Sequence, residues 1–180
     1  ASDVYKRQNE HPVETWLRLM DETDGRSLFM LRFVNQDLSV LPDFMRSDWI
    51  VSGVGDAGAH VSMIMDSGWT SFFLSYWHRD QKEFSLEQSI NYLTAKQARI
   101  IGLHDRGSLE LGKRADINII DINKLAERQP MRVQDFPGGA PRFIQRAIGY
   151  QATVVNGTVI LENDELTNEA GGQIIRNRGR

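Results

Sequence analysis

The sequence contains no cysteine among its 180 residues, so neither disulfide bonds nor thiolate metal ligands can support the fold. This absence suits a reducing compartment, and we expect a cytoplasmic protein. No apolar run approaches the roughly 18 residues that cross a bilayer, and residues 1–8 lack the charged start and apolar stretch of a secretion signal. We therefore expect neither a membrane anchor nor a signal peptide.

An excess of charge of one sign is also missing. The chain has 21 basic and 24 acidic residues, which gives a formal net charge of −3. Proteins that bind a phosphate backbone carry a surplus of lysine and arginine, usually on one face. Nucleic acid is therefore not an expected partner. The apolar share of 41% and the charged share of 25% are ordinary for a globular protein.

Short metal-binding and phosphate-binding motifs are absent as well. The four histidines stand at positions 11, 60, 78 and 104, so no two have the close spacing that places two imidazoles on one metal. Residues 53–58 formally match the G-x-G-x-x-G pattern. We do not favour dinucleotide binding, because no βαβ unit with an acidic strand end follows. The sequence shows no complete metal site.

A short helix is predicted at residues 37–45, and helical patterns are predicted in three further places. The first helix starts near Pro12 and stops at Gly25, and the second covers the aromatic-rich residues 69–77. The third begins at Ser85, the first residue of a capping box S-x-x-Q, and closes at Gly102. Its apolar side is marked by Leu86, Ile90, Leu93 and Ile101.

Extended patterns occur before and after these helices. Residues 48–54 are apolar and β-branched and run into a glycine-rich loop, which predicts a buried strand followed by a tight turn. A β-rich section is predicted from His104 onward, with an alternating strand at residues 117–121 and a hairpin at Asn156-Gly157. The first part therefore looks like the last units of a barrel or of an open parallel sheet.

Two residues of the glycine loop are candidates for function. Asp56 is a carboxylate at the predicted C-terminal end of a buried strand, flanked by Gly55 and Ala57, and barrel enzymes place catalytic groups at such strand ends. The alternative is an aspartate that only caps a turn. His60 is either a loop histidine with a structural role or a ligand. The residues alone leave both alternatives open.

A set of motifs resembles the C-terminal portion of the amidohydrolase superfamily, and within it the N-acyl-D-amino-acid deacylase (D-aminoacylase) branch. The resemblance extends over about residues 9–172. The Gly-Lys-Arg-Ala-Asp passage at 112–116 is shared by many amidohydrolases, whereas residues 55–60 together with Pro137-Gly138-Gly139 point to the deacylase branch. Further matching stretches are His11-Pro12-Val13-Glu14-Thr15, Leu93-Thr94-Ala95-Lys96-Gln97-Ala98-Arg99, Asp105-Arg106-Gly107-Ser108-Leu109 and Ala152-Thr153-Val154-Val155-Asn156-Gly157.

The resemblance implies a zinc enzyme built on a (β/α)8 barrel with a small β-sandwich. In such enzymes zinc lowers the pKa of a bound water and polarises an amide carbonyl. By motif match Asp56 is the general acid/base that moves the water's proton to the departing amine. His60 matches the family's loop and is expected to orient the loop or bind the substrate, not to ligate metal. Gly55 departs from the serine that the family often has before the aspartate.

The resemblance also implies that part of the enzyme is missing. A (β/α)8 barrel alone needs about 250 residues, and the family's His-x-His metal ligands do not occur here. We therefore expect a C-terminal fragment whose partner is the missing N-terminal part of the same chain. Its predicted divisions are a disordered or non-native tail at 1–8, the end of the α/β barrel at 9–103, and β-sandwich strands with a tail at 104–180. Zinc is expected in the full-length enzyme only, and the fragment alone is expected to be inactive.

Three hypotheses about the function follow from these observations. The first is a deacylase that acts on a small N-acyl amino acid. The second is a cyclic-amide hydrolase, similar to hydantoinase or dihydropyrimidinase, or a deaminase of the same superfamily. The third, from another class, is a non-catalytic α/β module that binds a partner through the surface of residues 69–77.

Overall fold

The computed structural model describes residues 10–29, 34–53, 55, 57–58, 60 and 66–176. The chain divides into two compact units, Ala1–Arg46 and Ser47–Arg180. The predicted tail at residues 1–8 lies outside the described residues. The helices and strands that follow residue 47 belong to one unit, and the domain boundary between 103 and 104 stays a prediction.

The first unit contains helix α1, Pro12–Glu22. His11 precedes it, and its Nδ1 accepts the amide N–H of Val13 at 3.3 Å. Gly25 adopts a φ of 72° and donates its N–H to the carbonyl of Met20 at 2.7 Å, which is the left-handed ending that favours glycine. The predicted start and stop of this helix are confirmed. A 3-10 turn, Leu38–Val40, and helix α2, Leu41–Met45, follow in the same unit.

Helix α3, Trp69–Phe72, opens the helical part of the second unit and continues directly into a π-helix, Phe73–Asp80. Phe73, Leu74 and Trp77 are only 3–5% exposed. The Phe73 ring stacks on Tyr92 with centroids 5.0 Å apart. Phe73, Leu74 and Trp77 therefore belong to the core. The partner-binding surface on residues 69–77 stays a prediction, and within this range Trp69, Phe72 and Tyr76 are half-buried.

The third predicted helix forms as two helices, α4 at Leu86–Leu93 and α5 at Ala95–Ile100. The capping box is confirmed: the Ser85 N–H donates to Gln88 Oε1 at 2.8 Å, and the Gln88 N–H donates to Ser85 Oγ at 3.2 Å. The break falls at Thr94, with φ −126° and ψ −82°. Its hydroxyl donates to the carbonyl of Ile90 at 2.6 Å, a local bond that competes with helix continuation.

The buried side of α4 is not the apolar side marked in the sequence. Ser89 and Tyr92 are buried, whereas the predicted apolar positions Leu86, Ile90 and Ile101 are exposed. Ser89 is compatible with burial because its hydroxyl donates to the carbonyl of Ser85 at 2.8 Å. The helix therefore packs through a small polar residue and an aromatic one, and its Leu86 and Ile90 lie on the surface of the described chain.

The β-rich section consists of short antiparallel strands. The strands are β1 Ile117–Ile120, β2 Ala126–Glu127, β3 Met131–Val133, β4 Arg142–Ile144, β5 Ala147–Ile148, β6 Tyr150–Val155, β7 Thr158–Glu162 and β8 Glu165–Leu166. A four-stranded sheet has the order β1-β6-β7-β8, and two separate pairs are β2-β5 and β3-β4. Asn156 and Gly157 have φ of 51° and 83°, so the predicted hairpin turn is confirmed.

The predicted buried strand at residues 48–54 is wrong over its described part. Residues 48–53 form a turn followed by a segment without regular secondary structure, and Trp49 is 94% exposed. A barrel strand needs hydrogen-bonded neighbours on both sides. Among the described residues every strand pair is antiparallel, so no neighbour for a parallel barrel strand is present there. The structure shows a mixed helix and sheet fold.

The π-helix docks on the β-rich section through polar contacts around one buried leucine. Leu125 has no exposed surface, and Arg79 Nη1 donates to the carbonyls of Ile122 and Leu125 at 3.1 and 2.6 Å. Gly149 has a φ of 102°, and a Cβ there would lie 2.8 Å from the backbone of Leu125. Only glycine fits this close approach without a shift.

Part of the superfamily motif forms an ion-pair network. The Asp105 carboxylate pairs with Arg106 at 3.1 Å and with Arg114 at 2.9 Å. Asp116 accepts the N–H of Asn156, in the hairpin turn, at 2.8 Å. The motif therefore ties the chain after α5 to the main sheet. Along the described residues, no helix has the length and apolar character that a bilayer span requires.

Candidate functional site

The candidate site is the turn around position 56. Asp56 itself lies outside the described residues, whereas Gly55, Ala57, Gly58 and His60 are described. Residues 47–53, which lead into this turn, and the contacts that hold them are also described. The described part of the candidate site therefore consists of residues close to Asp56 in the sequence.

Helix α5 holds the segment that leads into the turn. Lys96 Nζ donates to the carbonyls of Ser47 and Ile50 at 2.6 and 2.9 Å. Gln97 Nε2 donates to the carbonyl of Ser52 at 2.7 Å. A segment that belongs to no helix or sheet leaves its carbonyls in need of other donors. Side chains of α5 supply them here, where a neighbouring strand would do so in a sheet.

Tyr92 of α4 supports the same segment. Lys96 Nζ lies 5.0 Å from the centroid of the Tyr92 ring, within the range of a cation–π contact. Burial is the largest influence on the Tyr92 phenol and raises its pKa. The phenol therefore stays protonated at neutral pH. Tyr92 belongs both to the aromatic core and to the support of residues 47–52.

The turn itself is held by Asp66. Its Oδ1 accepts the N–H of Ala57 at 2.6 Å. A Cβ on Gly55 would overlap the Cγ and both carboxylate oxygens of Asp66. Gly55 does not need a positive φ, so available space, and not backbone conformation, requires glycine there. The Asp66 carboxylate therefore binds the Ala57 amide and lies close to Gly55.

The other predicted site residue, His60, is exposed. Its predicted role in substrate binding stays a prediction. Of the remaining histidines, His11 caps α1 and His78 Nδ1 bonds with the carbonyl of Phe84 at 3.0 Å, so both have structural partners. In the part of the chain that the structure describes, no group of three or more histidine, aspartate or glutamate side chains could hold a metal ion. These residues do not fit the zinc site that the resemblance implies.

Sequence reasoning missed Asp66, Lys96 and Gln97. The signal for Asp66 was the glycine at position 55, because a glycine in an extended segment often marks a close approach by another group. The signal for Lys96 and Gln97 was Thr94. If the helix ends at Thr94 and a new one starts, the side chains of Lys96 and Gln97 point in other directions than they would on one continuous helix. None of these contacts is local in sequence, and the contacts of Lys96 join residues 46 and 49 positions apart.

Comparison with known proteins gives three informative relatives. The chain is 33% identical over 98 residues to a dihydroorotase of Lactobacillus acidophilus and 28% identical over 102 residues to an allantoinase of Solibacter usitatus. It is 27% identical over 137 residues to a 5'-deoxyadenosine deaminase of Methanobrevibacter smithii. These matches cover 54%, 53% and 72% of this chain. The chain spans only 23%, 21% and 30% of the length of these relatives.

Two solved structures of D-aminoacylase are also similar. A D-aminoacylase mutant in complex with copper chloride has a TM-score of 0.48 and 25% identity over 59% of this chain and 20% of its own. A second D-aminoacylase structure, described as defining a novel subset of amidohydrolases, has a TM-score of 0.44 and 26% identity over 56% of this chain and 19% of its own. Both TM-scores lie below 0.5 and do not establish a common fold.

The family profile is the decisive comparison. The profile described as amidohydrolase family matches residues 41–161, which is more than half of the chain. The match includes the turn around position 56, helices α4 and α5, and the strands up to β7. It confirms the superfamily that the sequence motifs indicate. The chain belongs to the amidohydrolase family.

Proposed function

We propose that the chain is the C-terminal segment of a metal-dependent amidohydrolase that removes the acyl group from N-acyl-D-amino acids. The deacylase branch is supported by the resemblance of residues 55–60 and of the Pro137-Gly138-Gly139 loop. The observation that carries the proposal is the turn that brackets Asp56. The Ala57 N–H donates to Asp66 Oδ1 at 2.6 Å, and a Cβ at Gly55 would overlap the same carboxylate. These are the described residues immediately before and after the motif aspartate.

Asp56 acts as general base and then as general acid. Its carboxylate accepts a proton from the attacking water as the new C–O bond forms at the amide carbonyl. It then delivers that proton to the amide nitrogen as the C–N bond breaks, which releases a carboxylic acid and a free amino acid. Exposed His60 is proposed to orient the substrate beside Asp56.

The metal ligands are proposed to come from the part of the enzyme that precedes this segment. The described residues do not form a metal-binding group, and the chain spans less than a third of each of the relatives compared above. The metal content of the complete protein, measured after mutation of residues in this segment, should therefore be insensitive to most changes made here.

A second candidate activity is the hydrolysis of a cyclic amide, and a third is deamination. Relatives named dihydroorotase and allantoinase favour the second candidate, and the relative named 5'-deoxyadenosine deaminase favours the third. The discriminating assay offers the complete protein N-acetyl-D-amino acids, their L-enantiomers, hydantoins, dihydropyrimidines and 5'-deoxyadenosine. Turnover of the N-acetyl-D-amino acids is expected. Turnover confined to the ring compounds or to the nucleoside would contradict the deacylase assignment.

The role of Asp56 has its own test. Asp56→Asn in the complete protein removes the proton acceptor but preserves the size of the side chain, so we expect kcat to fall by about 10²- to 10⁴-fold while metal content is unchanged. Asp24→Asn is the control, because the Asp24 side chain is 87% exposed, and its kcat is expected to equal that of the wild type. Near-normal turnover by Asp56→Asn would mean that Asp56 only caps the turn.

A further inference from the structure

We infer that Asp66 is the residue that positions the catalytic turn: its carboxylate fixes the backbone on both sides of position 56. The inference deepens the proposed function and rests on it for the catalytic role of Asp56. The contacts of Asp66 with Gly55 and Ala57 can be tested whether or not that function is correct.

The first support is the pair of contacts that Asp66 makes. The bond from the Ala57 N–H to Asp66 Oδ1 measures 2.6 Å, short as expected when the acceptor carries a full charge. On the other side, the Asp66 carboxylate fills the space where a Cβ of residue 55 would lie. The Ala57 amide and the Gly55 backbone therefore both lie against one carboxylate.

The second support is that Gly55 and Asp66 form a matched pair. The family often has serine before the catalytic aspartate, and this chain has glycine. Any Cβ at position 55 would overlap the Asp66 carboxylate. The carboxylate could avoid it only by leaving the Ala57 N–H. The departure at position 55 is therefore explained by the presence of Asp66, and it does not weaken the role of Asp56.

The third support is that different side chains hold residues 47–52 and the turn that follows them. Lys96 and Gln97 hold the carbonyls of residues 47, 50 and 52, and their hydrogen bonds end three residues before Gly55. Asp66 makes its contacts further along the chain, at Gly55 and Ala57. Asp66 lies three residues before helix α3, whose continuation packs in the core through Phe73 and Trp77.

The test uses four variants of the complete protein: Asp66→Ala, Asp66→Asn, Gly55→Ala and the double variant Gly55→Ala/Asp66→Ala. Displacement of a catalytic group by about 1 Å costs up to about 10²-fold. We therefore expect Asp66→Ala to lower kcat about 10- to 100-fold with little change in KM or metal content. Asp66→Asn keeps an acceptor oxygen in place and should recover most of the lost activity.

The double variant separates positioning from general destabilisation. Gly55→Ala alone should lower kcat by a similar factor, because its methyl group displaces the Asp66 carboxylate. Once Asp66 is alanine, that methyl group has room, so the Gly55→Ala change should cost little further activity. Fully multiplicative losses in the double variant would contradict the shared mechanism and overturn the inference.

A readout that does not depend on catalysis completes the experiment. Hydrogen exchange of the Ala57 amide is expected to be slow in the wild type and in Asp66→Asn, and fast in Asp66→Ala and Gly55→Ala. If Asp66→Ala does not fold, Gly55→Ala breaks the same contact with the carboxylate still present. Unchanged exchange at Ala57 in both alanine variants overturns the inference. Altered exchange combined with normal turnover by Asp56→Asn would instead count against the proposed function.

Discussion

Leu125→Ala is the sharpest test of how the helices and strands of residues 47–180 are held together. Leu125 has no exposed surface, so the substitution removes three buried carbon groups. At about 0.8 kcal/mol for each, the transfer term is about 2.4 kcal/mol. The cavity that remains adds to this loss, and Leu→Ala changes in protein cores span about 2–5 kcal/mol. We expect a loss of about 3–4 kcal/mol in the free energy of unfolding.

The substitution isolates packing from hydrogen bonding. Arg79 binds the main-chain carbonyl of Leu125, and an alanine at this position keeps that carbonyl. The lost stability therefore reports the side chain alone. Urea unfolding of the 180-residue chain, followed by near-ultraviolet circular dichroism of the buried aromatic cluster, provides the measurement. With a denaturant slope of about 2 kcal/mol per molar, the midpoint should fall by about 1.5–2 M.

The matched control is Leu111→Ala. Leu111 is 106% exposed, and substitutions at such surface positions change stability by no more than about 0.5 kcal/mol. Leu111→Ala should therefore unfold at the urea midpoint of the wild type. A loss below about 1 kcal/mol for Leu125→Ala, or equal losses for both variants, would refute the placement of Leu125 in the core.

Two further predictions concern the β-rich section. Hydrogen bonds from Arg106 and Arg114 lower the pKa of Asp105 to about 2 from an ordinary 3.8, so its stabilising contribution is full above pH 4 and is lost as the pH falls toward 2. The stability gap between wild type and Asp105→Asn, measured by thermal melting, should close across that range, and a gap independent of pH would contradict the ion-pair assignment. Gly149→Ala adds a Cβ within 2.8 Å of the Leu125 backbone at a φ of 102° and should cost about 2–4 kcal/mol. Gly102→Ala, at a φ of 75° with nothing within 4 Å, should cost only the conformational part, about 1 kcal/mol, and equal urea midpoints for the two variants would contradict the close contact.

The features that could be predicted from sequence are those fixed by neighbouring residues. The capping box at Ser85, the stop at Gly25 and the hairpin turn at Asn156-Gly157 all depend on residues within one turn of each other. Each brings its own hydrogen bond or backbone conformation. The structure confirms all three, because no distant part of the chain has to cooperate.

The features that could not be predicted depend on distant partners. Residues 48–53 have the composition of a strand, but a strand exists only when another pairs with it, and α5 holds this segment instead. In α4, burial of Ser89 and Tyr92 in place of the aliphatic residues follows from the position of Phe73, which no pattern in α4 encodes.

The candidate site divides in the same way. Asp56 and His60 were selected because they stand in a motif, and a motif is read along the chain. Asp66 was missed because its relation to the motif is spatial: its carboxylate meets Ala57, nine positions earlier. A short motif therefore identifies the reacting group more readily than the group that orients it.

The hydrogen bonds from Lys96 and Gln97 to main-chain oxygens have an evolutionary consequence. Every residue type carries the same carbonyl, so the side chains of residues 47–52 can be exchanged by mutation without loosening their attachment to α5. Trp49, which is almost fully exposed, is free to vary in this sense. Related proteins could thus differ in the side chains of residues 47–52, and in the substrates they accept, while helix α5 stays constant.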